Sequence, residues 1–198
     1  MIYHNVAQNS EDWLILKNGK FSASSASDLW MKEDTKGFNE AIIKVAYERV
    51  TGLCQESYSN KWMQHGHEFE PLAAENYEIE SFNQTEIIGL YEYNSYACAS
   101  PDRKIVGENA GCEFKCPSFQ VYDEYLRTFK IPKSYFWQIH WQLFCTGWDY
   151  IDYMPFISPS VKQILIRVDK DQNILNEIAE KLEYCTKLVD NKIKLIQR

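Results

Sequence analysis

Between Ser100 and Pro117 the chain reads SPDRKIVGENAGCEFKCP, and no other stretch restricts the fold as tightly. A turn is expected near Gly107-Glu108-Asn109, with a strand from Ala110 to Lys115 after it. Side chains alternate along a strand, so Glu113 and Lys115 project from one face and Phe114 from the other. One face must therefore accept a carboxylate and an ammonium while the other packs into a core. Asp102 ends the strand expected before the turn, and pairing of the two strands brings it close to Glu113. Two carboxylates at that range repel unless a cation lies between them. Carboxylate oxygens completed by a few waters suit Mg²⁺. A lysine beside such an ion can orient or deprotonate a water for attack on phosphorus, and the ion lowers that water's pKa. The competing reading is a surface salt bridge between Lys115 and a carboxylate, worth ~0–1 kcal/mol.

Around this hairpin the periodicities alternate. Ser10 caps a short helix through Lys17, with Glu11 and Asp12 in its first turn and Gly19 beyond its end. A short helix is expected from Ser24 to Trp30, and a longer one from Phe38 to Val50, closed by Gly52. A further helix carries Phe69, Leu72, Ala73, Asn76 and Tyr77, with Pro71 suited to its first turn. Strands are expected at Glu86–Tyr93 and Tyr96–Ser100 around a turn at Asn94-Ser95. Helices follow at Phe119–Phe129 and Ser134–Cys145, then strands at Tyr150–Ile157 and Lys162–Val168. The last helix, Gln172 to Ile196, carries a stripe of Ile174, Ile178, Leu182, Cys185, Val189, Ile193 and Ile196 that suits core packing or an oligomer contact. This order implies an α+β fold with one mixed central sheet flanked by helices, in a single domain over residues 1–198.

The 198 residues carry a net charge of −7, which excludes a body coated in basic charge for nonspecific nucleic-acid binding. A concentrated basic groove on an acidic body remains compatible with it. No apolar run approaches the ~20 residues of a membrane span. The start, MIYHNVAQNSEDW, lacks the basic-then-apolar pattern of a secretory signal, so a cytoplasmic protein is expected. Six cysteines occur without a CxxC pair, which implies reduced thiols filling core space. His65-Gly-His67 has the look of a metal pair, but nothing near it in sequence supplies further soft ligands for zinc. Gln138 and Gln142 are four residues apart and share one helical face, either toward solvent or toward a site. Trp62, Trp137 and Trp141 are candidates for stacking on exposed bases.

Asp102-x10-Glu113-Phe114-Lys115, followed by Cys116-Pro117, resembles the core of the PD-(D/E)xK nuclease superfamily. It is more specifically similar to the phage lambda exonuclease and YqaJ-type recombinase family. WLILKNGKFSASSAS (Trp13 to Ser27), HGHEFEPLAAENYE (His65 to Glu78) and SYFWQIHWQLFCTG (Ser134 to Gly147) resemble other stretches of that family, in its order. The resemblance implies a restriction-endonuclease-like fold and two Mg²⁺ ions, with Mn²⁺ as a substitute. By this resemblance Asp102, Glu113 and the Phe114 carbonyl are metal ligands, and Glu70 completes the shell. Lys115 positions the attacking water, Gln138 lies beside the scissile phosphate, and Lys17, Ser24 and Ser100 hold a terminal 5′-phosphate. Arg103 stands where the family usually has glycine and adds a possible phosphate contact. Lys17 stands in place of arginine, and His140 where a second glutamine is usual.

What the family implies is an exonuclease that degrades the 5′-ended strand of double-stranded DNA. It would leave a 3′ single strand for an annealing protein, and would work as a ring-shaped homotrimer in a bacterial or phage-infected cell. The alternatives are a nuclease of other polarity or endonucleolytic habit, or an inactive DNA-binding subunit.

Overall fold

A computed structural model describes residues 1–54 and 61–198, with 61–68 described by their helical backbone alone. The side chains of Trp62, His65 and His67 lie outside what is described. The elements run β1 (Ile2–His4), α1 (Glu11–Lys17), β2 (Phe21–Ser22), a 3-10 segment (Ala23–Trp30), α2 (Lys36–Thr51), α3 (Lys61–Ser81), β3 (Thr85–Ile87), β4 (Leu90–Asn94), β5 (Ala97–Ala99), β6 (Arg103–Ile105) and β7 (Ala110–Lys115). There follow α4 (Phe119–Thr128), α5 (Lys133–Thr146), β8 (Tyr150–Pro155), β9 (Ile166–Asp169) and α6 (Gln172–Ile196).

The fold is α+β, and its strands form two sheets where one was expected. One has the order β1-β4-β5-β2, the other β3-β6-β7-β8-β9. The expected Glu86–Tyr93 strand is cut at Gly89, and its halves enter different sheets. A Cβ on Gly89 would lie 2.1 Å from the His4 carbonyl oxygen and 2.7 Å from the Val6 nitrogen, so the chain bends where β1 crosses it. The strand expected before Asp102 forms as β5, but it does not pair with β7, whose partner follows Asp102. β5 joins the first sheet, and the partner of β7 is the separate strand β6. β7 and β8 are parallel, which needs a long crossover, and α4 and α5 supply it.

Helix α5 explains why two sheets are stable. It is apolar on nearly all sides, the pattern of a fully enclosed helix. Trp141 and Cys145 pack into a cluster with Ala97, Ala99, Leu29 and Ile42, while Ile139 and Leu143 pack with Tyr122, Tyr125, Ile151 and Tyr153. The helix is thus the shared core between the sheets. Trp30 stacks on Trp137 with ring centres 3.8 Å apart, which fixes the 3-10 segment against it. That segment is 3-10 rather than α because its serines bond locally: Ser25 Oγ donates to the Ser22 carbonyl at 3.1 Å.

The stripe on α6 is core. Ile178, Leu182, Cys185 and Val189 are buried in the cluster that also holds Val45 and Ala46 of α2. The C-terminal reach of α3 packs Ala73, Ala74 and Tyr77 over Phe114. Pro71 lies inside α3 and not in its first turn, because the helix begins at Lys61. The last expected strand shrinks to Ile166–Asp169. All six cysteines are free thiols, and Cys98, Cys112, Cys145 and Cys185 are buried. No described helix is long and apolar enough to cross a membrane.

Candidate active site

The β6–β7 ladder stops at Arg103 opposite Cys112. The next inward N–H of β7 on that edge belongs to Phe114, and it donates to Asp102 Oδ2 at 2.7 Å. A side chain thus takes the place of a strand partner. In a strand, the N–H and C=O of one residue point to the same edge. The Phe114 carbonyl is therefore on the Asp102 side, whereas the Lys115 carbonyl accepts from Phe156 N on the β8 side at 2.7 Å.

Glu113 projects from the opposite face to Phe114, toward α5, and is 1% exposed. Its carboxylate is held by three donors. Gln138 Nε2 donates to Oε1 at 2.5 Å, Gln142 Nε2 donates to Oε2 at 2.6 Å, and the Lys115 ammonium pairs with Oε1. Lys115 also lies over the Tyr135 ring, 5.1 Å from its centre. Burial raises the Asp102 carboxyl well above the usual carboxylate range, and the Glu113 charge raises it further. Burial draws the Lys115 ammonium down, but the charges of Glu113 and Asp102 outweigh it and raise its pKa. One lysine thus faces two acids, an excess of negative charge that a divalent cation would neutralise.

A cleft of about 950 Å³ opens from these residues. Asp102, Glu113, Lys115 and Gln138 line it together with Lys17, Ser24 and Ser100. Trp13 ties two of these lining residues together: its indole N–H donates to Ser100 Oγ at 2.8 Å, and its ring lies 4.4 Å from Lys17 Nζ. Ser24 Oγ is 3.2 Å from Ser22 Oγ. Burial lowers the pKa of Lys17. Glu70 and Arg103 lie outside the cleft lining, and Arg103 Nε is 4.0 Å from Glu70 Oε1. Glu70 still acts on Asp102, raising its pKa further.

Among the described residues, no three His, Cys, Asp or Glu side chains converge into a closed metal cage. The available donors are two carboxylates and the Phe114 carbonyl. Such an open, all-oxygen set fits Mg²⁺, which keeps several of its waters, better than a structural zinc.

A family model described as the YqaJ-like viral recombinase domain matches residues 12–149, well over half of the chain. The chain belongs to the YqaJ-like viral recombinase family. This YqaJ-like chain is similar in structure to the alkaline exonuclease LHK-Exo from Laribacter hongkongensis. The TM-score is 0.85 at 25% identity, covering 96% of this chain and 97% of that one. LHK-Exo in complex with dAMP gives a TM-score of 0.86 at the same identity and coverage. A phage-related exonuclease from Haemophilus somnus 129PT shares the fold, at TM-score 0.66 and 16% identity over 92% of this chain and 99% of that one. No curated protein matches by sequence. Together these relationships indicate a lambda-exonuclease-like nuclease.

The second glutamine that reaches Glu113 is Gln142. His140, where the sequence resemblance led to the expectation of a departure from glutamine, is 3% exposed and packs its ring 4.4 Å from that of Phe136. Two residues of offset turn it to the other side of α5 from Gln138 and Gln142. The signal for Gln142 was its four-residue spacing from Gln138. Trp137 and Trp141 are buried, so neither offers a face for base stacking.

Proposed function

We propose that the chain is a Mg²⁺-dependent exonuclease that shortens the 5′-ended strand of duplex DNA and leaves a 3′ single strand for recombination. The observation that carries this reading is one cleft lined by Asp102, Glu113 and Lys115 together with Lys17, Ser24 and Ser100. A terminal phosphate and a scissile phosphodiester can be held there together.

Asp102, Glu113 and the Phe114 carbonyl would hold the cation, with Glu70 completing the shell of a second. Bound Mg²⁺, or Mn²⁺ in its place, supplies a water of lowered pKa and offsets charge on the leaving oxygen. Lys115 holds the attacking water. Gln138 fixes Glu113 and reaches toward the scissile phosphate. Lys17, Ser24 and Ser100 anchor the 5′-phosphate, which aligns the next bond over the acids. Arg103 sits beside Glu70, where its charge offsets that acid and can meet a phosphate. A homotrimer around the duplex would account for processive digestion. The 3′ strand would pass to a single-strand annealing protein, in the cytoplasm of a bacterium or phage-infected host.

The test is digestion of duplexes labelled at either 5′ or 3′ end, with and without a 5′-phosphate, in Mg²⁺, Mn²⁺ or Ca²⁺. Release of the 5′ label as mononucleotide in Mg²⁺ and Mn²⁺ is expected, with no turnover in Ca²⁺. Equal loss of both labels, or internal nicks, would replace this reading with another polarity or an endonuclease.

A further inference from the structure

Charge is unevenly placed outside the cleft. Residues 125–148 and 153–168 hold five of the chain's 21 Lys and Arg residues and none of its 28 Asp and Glu residues. Of the five, Arg167 is committed to Asp152 and Arg127 to Asp123. Lys130, Lys133 and Lys162 are exposed and make no ion pair among the described residues.

Phe129 lies close to these lysines in space or in sequence. Lys162 Nζ lies 5.7 Å from the centre of the Phe129 ring, Lys130 follows Phe129 in the turn between α4 and α5, and Lys133 opens α5 four residues on. Phe129 ends α4 in the left-handed region, at φ 50° and ψ 32°, and is 53% exposed. Glycine takes that position freely, whereas a Cβ is strained there. A ring that is both strained and left in water gains little from the fold, which directs attention to a contact outside the chain. Phe82 ends α3 with a similar φ of 60°, but Glu78, Glu80 and Glu86 are its charged neighbours in sequence. Of these two phenylalanines, Phe129 is the one that combines an exposed ring with cations.

The support is firm. Ile131 packs against the cluster containing Tyr125, Ile139 and Tyr153, and Pro132 leads directly into α5. Tyr122 Oη donates to the Lys162 carbonyl at 2.6 Å, tying the loop before β9 to α4. In the first turn of α5, Tyr135 meets the ammonium of Lys115. None of residues 116–137 lines the cleft, so the patch adjoins the catalytic lysine from outside it.

We propose that this patch binds single-stranded DNA, namely the strand the nuclease leaves uncut, with a base stacked on Phe129 and phosphates on Lys130, Lys133 and Lys162. Assigning it to the uncut strand rests on the proposed exonuclease function. The preference for a single strand follows from the ring, because stacking needs an exposed base face and a duplex offers one only at its ends.

The test is fluorescence anisotropy of the full chain with a labelled oligothymidylate and, separately, with a blunt 5′-phosphorylated duplex, both in EDTA. Phe129→Gly should weaken oligothymidylate binding about tenfold. Its melting temperature should hold or rise, since glycine suits the backbone there, and Phe129→Trp should bind at least as well as the native chain. Replacing Lys130, Lys133 and Lys162 together by Gln should lower the slope of log K against log salt by about 2. Duplex affinity should change less than twofold in each case. Unchanged oligothymidylate binding by Phe129→Gly would overturn the proposal, and so would an equal loss on the duplex. No hydrolysis is involved, so a failure of the nuclease reading shows in the digestion assay and not in this one.

Discussion

The Phe114 amide donates to the Asp102 carboxylate at 2.7 Å, and this one bond sets Asp102 beside Glu113 although the two residues are not strand partners. The consequence is a carboxylate pair, Glu113 buried and Asp102 partly so, served by a single lysine. Asp102→Ala or Glu113→Ala should reduce hydrolysis by at least ~10³-fold, the scale of losing a preorganised charge contact in the transition state. Circular dichroism should be unchanged. Lys115→Ala should cut kcat by a similar factor while DNA affinity stays near native. Near-normal turnover by Glu113→Ala would remove the metal site assigned to this cleft.

The same pair carries a cost in stability. The Asp102 carboxyl is raised in the folded chain by burial and by Glu113. A raised carboxyl binds its proton more tightly folded than unfolded, so without metal the folded chain loses stability as pH rises from the unfolded pKa through the folded one. Asp102→Asn keeps an acceptor for the Phe114 amide and removes the charge. In EDTA at pH 7 its Tm should rise, by ~2–4 °C for each kcal/mol recovered. Added Mg²⁺ should stabilise the native chain more than this variant. A variant less stable than native in EDTA would show that the acids are not in conflict.

Gln142 is expected to hold Glu113 rather than to touch substrate, since its Nε2 donates to Glu113 Oε2 at 2.6 Å and its side chain is 1% exposed. Gln142→Leu should weaken Mg²⁺ binding measured by calorimetry and lower kcat, each by ~10–100-fold. KM for DNA should move little. Gln142→Glu should be worse than Gln142→Leu, because it places a third acid against Glu113. Equal loss in KM alone would make Gln142 a substrate contact.

The alternation of Glu113, Phe114 and Lys115 was legible because a strand leaves side chains no choice of face. The α6 stripe was legible for the same reason at helical spacing. The division into two sheets was not, because Gly89 bends under the His4 carbonyl, and nothing within residues 86–93 encodes that encounter. Asp102 was expected beside Glu113 through strand pairing, and it arrives there by capping a ladder that ends early. Gln142 could be placed on the face of Gln138 from spacing alone, but whether that face met water or Glu113 depended on the packing of α5 between the sheets. Trp13 was visible only as part of a motif. Its grip on both Lys17 and Ser100 is a tertiary fact.

The lysine and serines that line the cleft yield a prediction with a pH signature. A terminal phosphate carries about two negative charges near neutral pH. Lys17, held over Trp13, offers it one positive charge, and Ser24 and Ser100 offer hydroxyls. Native protein should therefore digest 5′-phosphorylated ends faster than 5′-hydroxyl ends, and Lys17→Ala should lose most of that preference. Burial lowers the pKa of Lys17, so its charge is lost at a lower pH than that of an ordinary lysine. As pH rises through that lowered value, the native preference should fall. Lys17→Arg keeps its charge throughout and adds paired donors, so its preference should persist to higher pH. Trp13→Phe keeps a ring under Lys17 but removes the N–H to Ser100, and should give an intermediate preference with an unchanged pH midpoint. The measurement is the ratio of initial rates on the two ends as pH is raised from neutral into the range where an ordinary lysine loses its charge, at fixed salt. A ratio that is flat with pH in native protein, or that survives in Lys17→Ala, would move the phosphate anchor to another cation, with Arg103 beside Glu70 the first to substitute.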